Sequence, residues 1–209
     1  MLVIGATGGT GLQVVAQAVE VGKTVRALVR TAEDAGRFDS SVEVVVGDAL
    51  DPVSLTEALK GETEVISALG VRLGQPAGTT RSEGTATLVA AMEAARVDRL
   101  VAVSAVGVGS SRANQTLLAR LLWPRLAGAD RLAEAAKAEE AIAASSLEWT
   151  VIRAPRLIDG AASGRLRVSE SLRLQLGAQL SRGDLAAALL EELATSTSIG
   201  RYPSAITGS

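Results

Sequence analysis

Apolar positions along the chain follow two alternating rhythms. Short unbroken runs of Val, Ile, Leu and Ala dominate residues 2–4, 24–29, 42–46, 65–68, 100–103 and 149–152. Between them, apolar residues recur at intervals of three and four over 10–21, 53–59, 82–95 and 132–144. Unbroken runs predict strands buried on both faces, and the slower rhythm predicts helices with one apolar side. Their alternation predicts an α/β fold, a doubly wound parallel sheet of the Rossmann type with right-handed crossovers and helices on both faces. Asp51-Pro52 supports the helix at 53–59, because Asp caps a helix start and proline fits its first position. After about residue 105 the pattern loosens into a helical excursion at 110–127, a small-residue stretch at 158–168, and a late helix at 184–194 with Asp184 as its N-cap. Tyr202-Pro203 then predicts a turn or short strand. No repeat or linker marks a second domain, so residues 1–209 are expected to form a single domain, with substrate-side segments near 107–130 and 155–180.

The first strand runs directly into Gly5-Ala-Thr-Gly-Gly-Thr-Gly11, and a helical pattern follows at once. A glycine fingerprint carries information in this strand–turn–helix context. Gly5 takes the backbone angles of the tight turn, Gly8 lets the main chain approach a pyrophosphate, and Gly11 lets the helix pack close to the strand. Free N–H groups and the helix dipole then receive the anion. Gly9 lies in the same turn, and the motif points to dinucleotide binding within one NAD(P)-binding domain.

In such a sheet the ligand lies beyond the carboxyl ends of the strands. The second strand ends in Arg30, with Arg37 shortly beyond, where an acidic residue would accept from the ribose hydroxyls of NAD. A guanidinium suits a 2′-phosphate instead, which favours NADP(H). Asp48 and Ala49 end the third strand; the carboxylate either accepts from the adenine amino group or caps the following turn. Ala68, Leu69 and Gly70 end the fourth and let the backbone approach ribose and nicotinamide. Ser104 ends the fifth, with its hydroxyl towards the nicotinamide, and Pro155 and Arg156 close the sixth on the same side.

Composition narrows the chemistry. Apolar residues make up 47% and aromatics only 2%, so the core must be aliphatic. The net charge is −2 and no basic stripe interleaved with aromatics occurs, which argues against nucleic acid as a partner. The chain has no cysteine, which removes disulfides and thiolate catalysis. It has no histidine, which removes imidazole acid–base chemistry and histidine-ligated metals. No apolar run reaches the length of a membrane span, and residue 1 already enters the first strand, so a cytoplasmic protein is expected.

On the glycine turn, Val25-Arg-Ala-Leu-Val-Arg30, Val46-Gly47-Asp48 and Ser181-Arg182-Gly-Asp184-Leu185, the chain resembles the atypical short-chain dehydrogenase/reductase superfamily, in its NmrA-like NAD(P)-binding branch. Gly70-Val-Arg72, Arg81-Ser-Glu-Gly84, Val89-Ala-Ala-Met-Glu93 and Tyr202-Pro-Ser204 extend the likeness to the biliverdin-IXβ reductase (flavin reductase) family within it. The resemblance implies that the glycine turn, with Thr7 and Thr10, holds the pyrophosphate, that Arg30 meets the 2′-phosphate and Asp48 the adenine, and that Arg72 flanks cofactor and substrate mouth. It also implies a monomer. An ungapped reading places Ala105 where that family has a serine beside the nicotinamide, with Ser104 one residue earlier. Arg156 and the neighbourhood of Ala135 stand where the family has histidines.

Lys137 looks like the lysine of the usual short-chain dehydrogenase pair, but Ala133 occupies the tyrosine's place and the chain's one tyrosine is Tyr202. That missing acid is typically worth roughly 10²–10⁴-fold in carbonyl reduction. Flavins and linear tetrapyrroles delocalise the incoming charge and take their proton from solvent, so positioning alone suffices for hydride delivery. The expected function is therefore an NADPH-dependent reductase of a planar conjugated acceptor (flavin, biliverdin or quinone-like). Ser104 orients the nicotinamide or the acceptor, and Arg72 and Arg156 meet its anionic groups or remain solvated surface charges. Trp123 covers the acceptor or anchors local packing, and Lys137 is catalytic in ancestry or simply a surface charge. A non-catalytic, NmrA-type NADP(H) sensor with a protein partner is the alternative. An epimerase or dehydratase of nucleotide-linked sugars is disfavoured because it relies on the same missing pair.

Overall fold

A computed structural model describes residues 1–71 and 76–207. Strand β1 (Leu2–Ile4) is buried on both faces and divides the molecule into two aliphatic layers. Val3 joins a layer with Val14, Val15 and Ala18 of α1 (Gly9–Glu20) and with Ala27 and Val29 of β2 (Val25–Val29). Leu2 and Ile4 join the opposite layer. The alternation of side chains along a strand thus assigns helices to the two faces.

The chain continues through a short helix α2 (Ala32–Ala35), β3 (Val42–Val46), α3 (Pro52–Ala58), β4 (Glu64–Ser67), α4 (Thr80–Ala95) and β5 (Arg99–Ala105). A 3₁₀ turn at Gly109–Arg112 leads to α5 (Leu117–Ala127), α6 (Ala129–Ala143), β6 (Glu148–Ala154), β7 (Arg156–Ile158) and β8 (Leu166–Ser169). β9 (Gln179–Ser181), α7 (Arg182–Thr195) and β10 (Ser204–Thr207) close it. Among the described residues the main sheet has eight strands in the order β3-β2-β1-β4-β5-β6-β10-β8, while β7 and β9 pair separately. Every pairing is parallel except that of β8 on β10. This is the doubly wound Rossmann sheet expected, with one antiparallel strand added at its edge. Winding reverses between β1 and β4, so the crevice for a ligand lies beyond their carboxyl ends.

Leu185, Leu189 and Leu193 of α7 complete the first layer, and Leu55, Leu88, Met92 and Ile142 from α3, α4 and α6 complete the second. Two buried ion pairs lie among these aliphatic side chains. Arg99 of β5 donates from Nη2 to Glu192 Oε1 at 2.9 Å. Arg153 of β6 grips Glu139 through Nε at 2.9 Å and Nη2 at 2.6 Å, with its guanidinium 4.4 Å from the Tyr202 ring centroid. Arg99 Nη1 also donates to the Glu148 carbonyl and the Thr150 hydroxyl, and Arg153 Nη1 to the Ser110 hydroxyl, bonds that offset the burial of each pair, although Arg99 Nε has no partner among the described residues.

The late helix begins earlier than the sequence pattern suggests. Ser181, and not Asp184, is its N-cap, accepting the Asp184 N–H at 2.9 Å. Asp184 is buried instead and accepts from the Ser163 N–H at 2.6 Å, the Ser163 hydroxyl and the Thr207 hydroxyl, joining the loop after β7 to α7 and β10. Burial alone would raise its pKa, but these donors, together with the Ser181 hydroxyl, outweigh it and hold the carboxyl below its ordinary value. A depressed folded pKa stabilises the protein above the unfolded pKa, and that contribution is lost as pH falls through the folded value. Asp184→Asn is therefore expected to cost roughly 1–3 kcal/mol at neutral pH. The deficit should narrow on acidification, as wild type loses the same contribution; urea midpoints of both proteins across the acid range check this.

Candidate active site

The turn after β1 is shaped by a contact that no side chain could allow. A Cβ on Gly11 would stand 2.2 Å from the Gly5 carbonyl oxygen, and one on Gly5, where φ is +75°, would stand 2.8 Å from the Ala68 oxygen. Gly8 precedes α1 in extended conformation and no side chain caps the helix. The helix's early N–H groups are therefore left for a ligand, and the Gly8 N–H is spent on closing the turn to Gly5 at 3.0 Å. Gly9 lies beneath Arg182, whose Nε would be 2.6 Å from a Cβ there. Thr7 is half-buried, its carbonyl accepting from Arg37 Nη1 at 2.9 Å, and Thr10 is buried in the first turn of α1.

The neighbouring strand ends line up beside this turn. Arg30, at the tip of β2, is exposed and makes no hydrogen bond or ion pair among the described residues. Arg37, by contrast, donates from Nη1 to the Thr7 carbonyl. Asp48 follows β3 and accepts the Leu50 N–H at 2.9 Å, so one carboxylate oxygen serves the turn. Ala49 is buried against the second aliphatic layer. Ala68 and Leu69 follow β4 half-buried, and the Leu69 carbonyl accepts from Arg81 Nε at 3.1 Å. Gly70 faces Arg81 Nη2. Arg72 lies outside the described residues.

Beyond β5 and β6 opens a cleft of about 490 Å³. Ser104, Trp123, Pro155 and Arg156 all line it, as the strand ends predict, together with the apolar Val71, Leu126, Leu132, Leu157 and Leu176. Ser104 is 5% exposed and its Oγ has no hydrogen-bond partner among the described residues. A second cavity, of about 10 Å³, lies behind it, at the lower limit of what one water needs. Ser104 thus lies between the two spaces, its hydroxyl buried and without a partner among the described residues. Trp123 is buried and donates from Nε1 to the Val106 carbonyl at 2.6 Å, so it is both a packing anchor and part of the cleft wall.

Sequence reasoning missed three further arginines in the wall: Arg81, Arg131 and Arg182. With Arg156 they make four guanidinium groups against one carboxylate, Glu134. Burial pushes Arg81 below its ordinary pKa, Glu139 and Glu134 oppose the shift, and Arg131 adds to it. Glu134 is held below its ordinary value chiefly by the Ser82 hydroxyl at 2.5 Å, against burial, with help from Lys137 at 3.1 Å. Arg182 pairs with the exposed Asp159 at 2.6 Å. The quoted motifs around Arg81 and Arg182 held the signal, but an arginine near a helix start reads as solvated until the helix is placed. Lys137 ion-pairs on the surface of α6 and does not line the cleft, and Ala133 is exposed there as well.

The NAD(P)H-binding family model matches residues 5–196, the span from the glycine turn to the end of α7. The chain belongs to the NAD(P)H-binding family. An uncharacterized chloroplastic protein of Arabidopsis thaliana is 32% identical over 73% of this chain and 57% of its own length. The photosystem II assembly factor Ycf39 of Cyanophora paradoxa is 32% identical over 58% of this chain and 38% of its own length. The chain thus spans well under two thirds of the curated relatives it matches. Among solved structures, ChuY, an anaerobilin reductase from Escherichia coli O157:H7, is 25% identical with a TM-score of 0.83, covering 99% of this chain and 96% of its own. A short-chain dehydrogenase/reductase of Veillonella parvula, solved with NADP, shares the fold at 16% identity with a TM-score of 0.81, over 100% and 93% of the two chains. The fold is that of the atypical short-chain dehydrogenases/reductases, and the NADP(H) expectation agrees with the family. No helix among the described residues is long and apolar enough to cross a membrane.

The glycine contact gives a direct test. Gly11→Ala must push its methyl into the Gly5 carbonyl, an overpacking cost of typically 1–3 kcal/mol, about what such clashes require. Thermal unfolding should register that loss, and titration with NADPH should show weakened binding.

Proposed function

We propose that the protein is an NADPH-dependent reductase that transfers hydride to a planar, conjugated, anionic acceptor such as a flavin or biliverdin. The observation that carries this reading is a large, arginine-rich cleft at the carboxyl ends of β5 and β6, lined in part by Ser104, whose buried hydroxyl has no partner among the described residues. The bound dinucleotide supplies the hydride. The uncapped start of α1 would hold the pyrophosphate and Arg30 the 2′-phosphate. Ser104 would orient the nicotinamide amide or the acceptor edge. Arg81, Arg131 and Arg156 offer charge to carboxylate or phosphate groups of the acceptor, and the apolar wall with Trp123 accommodates its flat body.

No tyrosine or lysine reaches the cleft lining, so the proton that accompanies hydride comes from water. This limits the acceptor to molecules that spread the incoming charge, which a conjugated ring system does and an isolated carbonyl does not. The resemblance of the chain to ChuY, named as an anaerobilin reductase, supports a reductase of this class. A sensor would use only the nicotinamide end of this cleft, whereas a reductase also needs its arginine-lined mouth.

Loss of NADPH absorbance with flavin mononucleotide or biliverdin tests the proposal, and binding of NADPH without turnover across flavins, biliverdin isomers and quinones would contradict it. Arg30→Ala is expected to weaken NADPH binding by about 1.5–3 kcal/mol while leaving NADH nearly unchanged. Equal losses for the two cofactors, seen by calorimetry, would remove the 2′-phosphate from Arg30. Ser104→Ala is expected to slow turnover more than it weakens NADPH binding; an unchanged rate in single-turnover measurements would take Ser104 out of the site.

A further inference from the structure

Helix α5 carries an apolar surface that the fold does not use. Ala119 and Trp123 turn inward, whereas Leu117 is 85% exposed, Leu118 59%, Leu121 67% and Leu126 63%. Leu117, Leu118 and Leu121 lie on the outer side of the helix, four residues or fewer apart, and share it with Arg125. Single exposed leucines need no explanation, but three together on one side of an eleven-residue helix do.

The charges carried by α5 itself are all of one sign, and the first acidic residue after it is Asp130, at the start of α6. From Val106 to Ala129 the sequence has Arg112, Arg120 and Arg125 and no acidic residue, in a chain whose net charge is −2. All three arginines are exposed. Two copies of this face brought together would set Arg125 against its own counterpart, so self-association is opposed. The face offers leucine and guanidinium but almost no small polar group to fix a protein partner's orientation. Non-directional apolar insertion combined with attraction to negative charge is the chemistry of an amphipathic helix on an anionic bilayer.

We infer that α5 docks the protein peripherally on a lipid surface rich in anionic headgroups. The leucines enter the headgroup boundary, and Arg112, Arg120 and Arg125 remain at the level of the phosphates, their stems lying along the apolar surface. Leu126, exposed near the end of the same helix, lies on its cleft side, so docking through the outer leucines sets the cleft mouth near the lipid. An acceptor dissolved in the bilayer would then reach the cleft without crossing bulk water. The inference does not depend on the proposed reduction, since it concerns a face distinct from the cofactor turn.

Sedimentation of the full chain, loaded with NADPH, with vesicles of phosphatidylcholine alone or mixed with phosphatidylglycerol is the test. Binding is expected to the mixed vesicles only, and to fall as salt rises. Leu117→Ser with Leu121→Ser should weaken it by roughly tenfold or more, as should Arg120→Gln with Arg125→Gln. Neither pair touches the cleft, so NADPH affinity should stay at the wild-type level and report intact folding. Absence of binding to the anionic vesicles overturns the inference, as does a leucine variant that binds like wild type. A wild-type dimer in analytical ultracentrifugation that becomes a monomer in the leucine variant would assign the face to a second copy instead.

Discussion

The close approach of Gly11 to the Gly5 carbonyl is the constraint from which the site follows. It brings the start of α1 to within a distance of β1 that any side chain would prevent. The helix must then begin without a side-chain cap, because Gly8 offers none, and its first N–H groups face the crevice where the sheet reverses direction. Gly5 is held on its other side by the Ala68 carbonyl, so β1, α1 and β4 meet at one point. A cofactor phosphate placed there receives backbone donors whose positions are set by the packing of the whole sheet. No flexible side chain has to be ordered to hold it.

The acceptor end is built on a different principle. With no histidine or cysteine in the sequence and no tyrosine among the described residues of the cleft lining, the titratable groups at that place are guanidinium groups and Glu134, whose carboxyl is held below its ordinary value. What it has is charge and shape: guanidinium groups set in an apolar wall, one of them largely withdrawn from water at the base of α4. Charges in such surroundings act more strongly than in solvent. Such a site is suited to orienting an anionic, flat molecule, which is the basis on which a conjugated acceptor is proposed.

Much of this was legible in the sequence. The six parallel strands β1–β6 were placed to within about two residues, because strands covered on both faces leave apolar runs, which only edge strand β3, with Val42 alone buried, and the charges Arg26 and Glu43 weaken. The site at the ends of β1, β2, β5 and β6 followed from topology alone, and Ser104, Pro155 and Arg156 do converge there. The short β7–β9 pair and the antiparallel edge strand β8 were missed. They are three or four residues long and mostly exposed, so no periodicity develops. Asp184 was misread as a cap because Ser181, three residues earlier, performs that task and frees the carboxylate for burial. The ion pair of Arg99 and Glu192 spans 93 positions, and nothing local distinguishes either residue from a surface charge.

Those buried pairs bear on how firmly the site is held. Ser104 and Arg153 stand opposite each other in the β5–β6 register, so the strand that presents the cleft hydroxyl is paired with the one anchored to Glu139 and Tyr202. Removal of either partner would strand a charge in the core, so the geometry at the ends of these strands is tied to an interaction that tolerates little displacement. The far wall of the cleft is held differently: Trp123 of α5 donates its indole N–H to the Val106 carbonyl, the Thr116 N–H at the helix start donates to the Leu174 carbonyl, and Ala119 packs inward, while Leu117, Leu118, Leu121 and Leu126 are exposed. The molecule therefore joins a cofactor turn fixed by backbone contact to a cleft wall carried on α5. Acceptor choice can change through α5 and the arginines around it without disturbing the turn that holds the dinucleotide. The apolar outer face of that same helix is then a cost to the free protein in water unless something covers it, and three arginines decide that the cover is anionic.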